Sequence, residues 1–289
     1  MTTILDTLLQ GMLLGGLYAL FAAGLSLIFG IMRLVNLAHG DLIVLAAFLL
    51  LVISNVLGMN VFVTLLVVAP LMFAIGFLLQ SQIFNRLAQG DGLSPLLVSF
   101  GLSIILQNGM LQVFSADSRR LQSGDLEGAS LALPGGLAAG VMPLLTFAAA
   151  FLTIIALNQL FYRTTLGRAF RATSDDSDIA QLMGIDNRRI YAIAMGLALV
   201  VVSISALFLG LRANFDPTIG PARLLYAFEA VIIGGLGSLW GTLAGGIIVG
   251  LAQTIGARIN PEWQILAGHV VFLAVLIARP RGLFPRAVD

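Results

Sequence analysis

Asn36, His39 and Asp41 crowd into the stretch LVNLAHGDLIV, Leu34 to Val44, with long apolar sequence on either side. With a serine such as Ser99 they supply the residue types of a hydrolytic triad, and with a second histidine those of a metal site. Neither chemistry is expected here. Residues adjacent on one segment make poor triad geometry, and no nucleophile motif accompanies them. The other histidine, His269, stands alone in a late apolar run and reads as packed and hydrogen-bonded. A charged group at bilayer depth costs about 2.5 to 3.5 kcal/mol, so polar residues in such a setting face a cavity, a partner or the membrane boundary.

The setting is a membrane. Of 289 residues, 59% are hydrophobic and only 10% charged, and the mean hydropathy is +1.02. Apolar runs long enough to cross a bilayer recur from end to end and leave no room for a sizeable soluble domain. The prediction is an all-α integral membrane protein, one polytopic helical domain over 1–289. Spans are expected at 8–30, 41–57, 60–82, 94–114, 139–161, 190–211, 238–257 and 264–279, with a short helix at 225–236 between Pro221 and GGLGS. The N-terminus lacks a basic n-region and reads as a retained first helix. There is no cysteine, which excludes disulfides and thiolate sites, and no lysine, which excludes a P-loop.

The arginines orient the chain. If the loop 162–189 and the C-terminus are cytosolic, Arg33, Arg86, Arg163, Arg168, Arg171, Arg188, Arg189, Arg279, Arg281 and Arg286 fall inside. Arg119, Arg120, Arg212, Arg223 and Arg258 fall outside. The excess inside agrees with the positive-inside rule and puts the N-terminus outside after nine crossings.

Two hydrophilic segments remain. Ser115 to Gly136, outside, is Gly- and Ser-rich and reads as a solvated connector. The segment 163–189 has more order. Ser174 is expected to N-cap a helix from Asp175 to Met183 whose first turn holds Asp175, Asp176 and Asp178, where carboxylates suit the helix dipole. Ile179, Leu182 and Met183 share one face and Gly184 supplies the stop. The polar face is acidic, which favours docking on a protein over lying on a lipid surface. The glycines of GGLGSLWGTLAGG, among them Gly234, Gly241 and Gly245, read as close helix packing.

Three stretches in order, GLYALFAAGLSLIFGIMRLVNLAHGD, LGRAFRATSDDSDIAQLMGI and FDPTIGPARLLYAFEAVIIGGLGSLWGTLAGG, resemble the permease subunits of branched-chain amino acid ABC importers, the LivH/LivM type. The resemblance covers nearly the whole chain. It implies a type II importer permease fold, similar to ribose and vitamin B12 permeases, with four helices after the cytosolic coupling loop. Five precede it here, one fewer than in the ten-helix relatives. It also implies a non-enzymatic translocation subunit in the bacterial inner membrane. The partners would be a second permease subunit, commonly a different chain, two ATP-binding cassette subunits that hold the ATP and Mg, and a periplasmic substrate-binding protein. No cofactor, metal or nucleic acid is expected on this chain. Branched-chain or other hydrophobic amino acids are the implied cargo. The same broad family includes urea and short-chain amide permeases, so membership alone does not name the solute. An ion-coupled secondary transporter is the alternative from another class, but it predicts corresponding helix breaks in two halves, and the Gly-interrupted regions 24–41 and 234–246 do not correspond.

Within the implied fold, 31–41 connects the first two helices near the cytosolic side. Asn36, His39 and Asp41 would then form an inner gate, faced by Ser94, Pro95 and Ser99 from the fourth helix. Glu229, the one glutamate in a predicted span, is a substrate-contact candidate or an outer-end residue paired with water or an outer arginine. Arg168, Asp175, Asp178, Ile179, Leu182, Met183 and Gly184 would couple to an ATPase.

Overall fold

The computed structural model describes residues 2–87, 93–126, 128–133 and 137–284. Arg286, one of the arginines counted inside, lies outside the described residues. Helix α1 covers Thr2–Met32 and α2 covers His39–Leu57. Helix α3, Val61–Leu79, runs on through a π-turn at Gln80–Phe84 and a last turn at Asn85–Leu87. Then come α4 (Ser94–Phe114), α5 (Val141–Arg163), α6 (Thr165–Asp175), α7 (Ser177–Leu182), α8 (Asn187–Arg212), α9 (Gly220–Gly234), α10 (Leu239–Ile259) and α11 (Trp263–Ala278). Among the described residues seven helices are long and apolar enough to cross a membrane, α1 to α5, α8 and α10, and α11 is a shorter apolar one. The protein is an all-helical, multi-pass membrane protein, as its hydropathy requires.

Helices α1 and α8 form the interior, while α3 and α4 turn most of their surface outward. The contact of α1 with α10 is set by small residues. A Cβ added at Gly15 would lie 2.4 Å from the Ile247 Cα, and one at Gly250 would lie 2.4 Å from the Gly11 carbonyl oxygen. Backbones this close gain dispersion contacts that lipid cannot replace. The glycine cluster after α9 does the same: Gly234 lies against the Gly241 carbonyl and Gly245 against that of Ala230. Close packing was the expectation for these glycines, and packing is what they do.

The connector between α4 and α5 holds a small antiparallel hairpin, β1 (Ser130–Leu133) with β2 (Leu137–Gly140), which hydropathy did not predict. It is also pinned. Arg119 and Phe215 exchange both backbone hydrogen bonds at 2.8 Å, and Leu121 N–H donates to the Gly210 carbonyl at 2.9 Å. The segment between α8 and α9 is thereby held beside the connector.

Candidate functional site

The link from α1 to α2 is short and turns sharply. Arg33 adopts φ +52°, a left-handed conformation that a non-glycine residue rarely takes, and the chain doubles back at once. The consequence corrects the expected placement of the gate. His39 Nε2 lies 2.9 Å from the carbonyl oxygen of Phe21. Phe21 precedes Met32 by three turns, so α2 begins about 16 Å in from the end of α1. His39 and Asp41 are therefore not in a boundary loop. They lie in the first turn of a helix that starts inside the bundle, and like Asn36 they have no exposed surface.

A second helix start meets this one. Pro221 occupies the first turn of α9, where its missing N–H costs nothing, and α9 therefore begins at Gly220 and not at 225. A Cβ on Gly40 would fall 1.9 Å from the Gly220 carbonyl oxygen, and one on Gly220 would fall 2.0 Å from Asp41 Oδ1. Only glycine at both positions permits this approach. Asp41 is thus placed between two helix N-termini, where partial positive charge favours a carboxylate.

Helix α4 supplies the facing side. Ser103 Oγ donates to Asp41 Oδ2 at 2.5 Å, Gln107 Nε2 donates to Ser103 Oγ at 3.1 Å, and Ser99 Oγ accepts from the Leu37 N–H at 3.1 Å. Ser99 is where the sequence reading placed it. Ser94 and Pro95 sit half-buried at the start of the helix, and Ser94 has no hydrogen bond to the cluster among the described residues. Ser103 and Gln107 were missed, though Ser99, Ser103 and Gln107 recur every four residues and mark one face of α4. Asn36 Oδ1 accepts from the Ala38 N–H at 3.0 Å. One side-chain atom on each of Asn36, His39 and Asp41, namely Nδ2, Nδ1 and Oδ1, is buried without a partner among the described residues. Each such atom costs about 1 to 3 kcal/mol, so packing alone does not account for the cluster.

Glu229 is elsewhere and differently paired. It is 1% exposed, well inside α9, and its Oε1 is bonded to Nδ1 of His269 on α11. At 1% exposure it does not reach bulk water, and among the described residues its partner is His269 and not an arginine, because α9 starts earlier than expected and carries it further along the helix. Tyr18 and Tyr226 lie nearby with ring centroids 4.9 Å apart, and the Tyr18 hydroxyl donates to Gln253 Oε1 at 2.5 Å.

At the opposite extreme of exposure is the segment 163–189. The expected single helix from Asp175 is two. Helix α6 is N-capped by Thr164, which accepts from the Gly167 N–H at 3.0 Å, and it buries Phe170 while leaving Arg168 exposed. It ends at Asp175, so Asp175 occupies a C-terminal turn and gains nothing from the dipole. Ser174 is no N-cap. Asp176 caps α7 instead, its Oδ1 accepting from the N–H groups of Asp178 and Ile179 at 3.0 Å each. The apolar face is as expected: Ile179, Leu182 and Met183 are 59%, 86% and 79% exposed. Gly184, at φ +86°, closes the helix as predicted. Asn187 Nδ2 donates to the Ser177 carbonyl at 2.6 Å and ties α7 to α8.

The family model of the branched-chain amino acid transport system permease component matches residues 7–278. The chain belongs to this family. Among curated relatives, the permease resembles the high-affinity branched-chain amino acid transport system permease protein BraD of Pseudomonas aeruginosa. The two are 28% identical over 98% of this chain and 96% of the relative. The permease protein LivH of Escherichia coli strain K12 is 26% identical over the same shares. A solved structure titled "PsaBC from Streptococcus pneumoniae in complex with Fab" is similar over 95% of this permease and 92% of its own chain, at 17% identity and a TM-score of 0.49.

Proposed function

We propose that this permease is the translocation subunit of an ATP-driven importer of branched-chain or other hydrophobic amino acids in the inner membrane, with its N-terminus outside and its C-terminus in the cytosol. Family membership supplies the class of cargo. The observation that carries the mechanism is the apolar face of α7. Three large hydrophobic side chains stand exposed on a short, capped helix anchored to an interior span, on the side to which the arginine count assigns the cytosol. Such a face needs a partner, and a cytosolic ATPase with a complementary groove is the partner that coupling requires. Hydrolysis belongs to that partner, with ATP and Mg bound there. Arg168, Asp175, Asp178 and Gly184 flank or shape the contact.

The cluster of Asn36, His39 and Asp41, faced by Ser99 and Ser103, then serves as the gate on the route past α2 and α9. Its partnerless polar atoms are groups that a passing ammonium and carboxylate can engage. A second permease subunit completes the pathway, and an external binding protein delivers the solute.

Reconstitution of the permease with its ATPases and binding protein tests the reading. Labelled leucine should enter vesicles only with ATP inside. Uptake driven by an ion gradient without nucleotide refutes the assignment. For orientation, a single cysteine at Asp117, whose side chain is 70% exposed, should react with an impermeant reagent from outside intact cells, and one at Met183 only from the cytosol.

A further inference from the structure

A cleft of about 540 Å³ opens under α7, bounded by the α1–α2 link, the π-turn of α3, the start of α4 and the first residues of α8. That volume suits a small molecule. Gln80 lines it, only 2% exposed, where the π-turn begins. Its Nε2 donates to Asn85 Oδ1 at 3.0 Å, and Asn85 Nδ2 donates to the Arg188 carbonyl at 3.0 Å. Both amides are fixed by this chain, yet Gln80 Oε1 has no partner among the described residues. π-turns inside helices concentrate at functional positions, and this one sets a buried acceptor at the wall of a cavity.

The remaining lining is mixed in sign. Asp178 offers a carboxylate from α7, while Arg33 and Arg188 offer guanidinium forks from the link and from α8. Phe84 and Leu96 supply apolar wall. Acceptors for an ammonium, forks for a carboxylate and an apolar wall for a side chain together describe a free hydrophobic amino acid. We infer that this cleft binds the zwitterion on the cytosolic face and that accumulated product acts there to restrain transport. The inference rests on the proposed orientation, which makes the cleft cytosolic. Restraint follows from what the walls are. Asp178 belongs to the coupling helix and Arg33 to the link that leads to Asn36, so a ligand held between them opposes relative movement of α7 and the gate.

The test uses the full complex in phosphatidylcholine vesicles, whose quaternary ammonium has no N–H to offer Gln80. Initial uptake and lumenal ATP hydrolysis are read with the lumen empty or loaded with millimolar leucine, leucinamide or 4-methylpentanoate. Leucine should slow both, whereas leucinamide lacks the carboxylate and 4-methylpentanoate the ammonium, and neither should act. Arg33→Gln and Gln80→Leu should each require about tenfold more lumenal leucine, the loss expected for one charge-assisted bond, with uptake into an empty lumen unchanged. Equilibrium binding of labelled leucine to the purified permease–ATPase complex without the binding protein gives a readout independent of uptake. It should weaken in both variants, and if Gln80→Leu fails to assemble, Arg33→Gln and the two analogues still decide. Normal uptake with no lumenal effect and no binding refutes the inference and leaves the proposed function standing. Absence of uptake with leucine binding intact does the reverse. Equal action by leucinamide overturns the zwitterion rule, and restraint by phosphatidylethanolamine in place of leucine assigns the cleft to a lipid headgroup and overturns product sensing.

Discussion

Gly40→Ala is the most direct perturbation of the point where α2 and α9 begin. The added carbon would sit 1.9 Å from the Gly220 carbonyl oxygen, 2.7 Å from the Gly220 carbonyl carbon and 2.9 Å from the Leu224 nitrogen. All three are backbone atoms, so no rotamer change relieves the clash. Ordinary contact starts at 3.4 Å, and the difference of 3.4 and 1.9 Å means that one helix start must retreat by about 1.5 Å. Overpacking of a closed site costs about 1 to 3 kcal/mol, and a fixed backbone obstacle places this case at or above the upper end. At about 2 to 4 °C per kcal/mol, melting of the detergent-purified permease should fall by roughly 6 °C or more. Transport should fall further than abundance does, because the retreat also moves Asp41 away from Gly220. Gly101→Ala in α4 is the control, since among the described residues nothing lies within 4 Å of its added carbon. It should leave melting unchanged or raise it slightly, as alanine favours helix by about 1 kcal/mol over glycine. A Gly40→Ala protein that melts and transports as the parent does would show that the two helix starts are not in contact.

Three further outcomes follow from the same geometry. Ser103→Ala removes the donor to Asp41 and should cost about 1 to 3 kcal/mol, and either it or Asp41→Asn should alter uptake or release substrate-independent ATP hydrolysis while the ATPases still copurify; normal transport by both removes the gate. Leu182→Ser with Met183→Ser should abolish ATPase copurification or uncouple hydrolysis from uptake without affecting insertion, since burying each such side chain is worth about 1.5 to 3 kcal/mol and neither lies in a span; full binding and coupling in the double variant refutes the docking role. His269→Ala leaves the buried Glu229 carboxylate without its donor and should lower the melting temperature, whereas His269→Asn, whose amide nitrogen can take the place of Nδ1, should recover most of the loss; equal melting of the two variants would mean that the pair is not formed.

Span composition was legible because lipid imposes it: runs of apolar length and the glycines at Gly234, Gly241 and Gly245 carry the same meaning in any fold. Depth was not. Pro221 reads as a breaker from sequence, and only the position of its missing N–H shows that it starts α9, which in turn draws Glu229 inward to His269. Arg33 gives no sign that it will take a left-handed conformation, so nothing in LVNLAHGD reveals that the link climbs back into the bundle and buries His39 against Phe21. The sequence reading makes Ser174 the cap of the helix, with Asp175 and Asp176 in its first turn, yet the cap is Asp176. The difference lies in an unforeseen helix: α6 runs on to Asp175 and takes Ser174 into its last turn, which leaves Asp176 to cap α7.

If the proposed function holds, the loop between α6 and α8 also bears on how a cytosolic ATPase would reach the Asn36–His39–Asp41 cluster. Such coupling would need physical continuity between α7 and the cluster, and α8 provides contacts toward both. Its first residue, Asn187, holds the Ser177 carbonyl of α7 and contacts the Thr173 hydroxyl of α6 at 3.3 Å. Two-thirds of the way along, Ser205 donates to the Leu20 carbonyl at 2.8 Å, next to the Phe21 carbonyl that His39 engages. A helix is stiff along its axis, so in the proposed assembly a displacement of α7 by a docked ATPase would arrive at Leu20 and Phe21 as displacement of the wall that seats His39. The buried polar atoms left without partners among the described residues at Asn36, His39 and Asp41 make the arrangement there costly to hold, and a second arrangement that satisfies them need differ by only a few kcal/mol for such a displacement to select it.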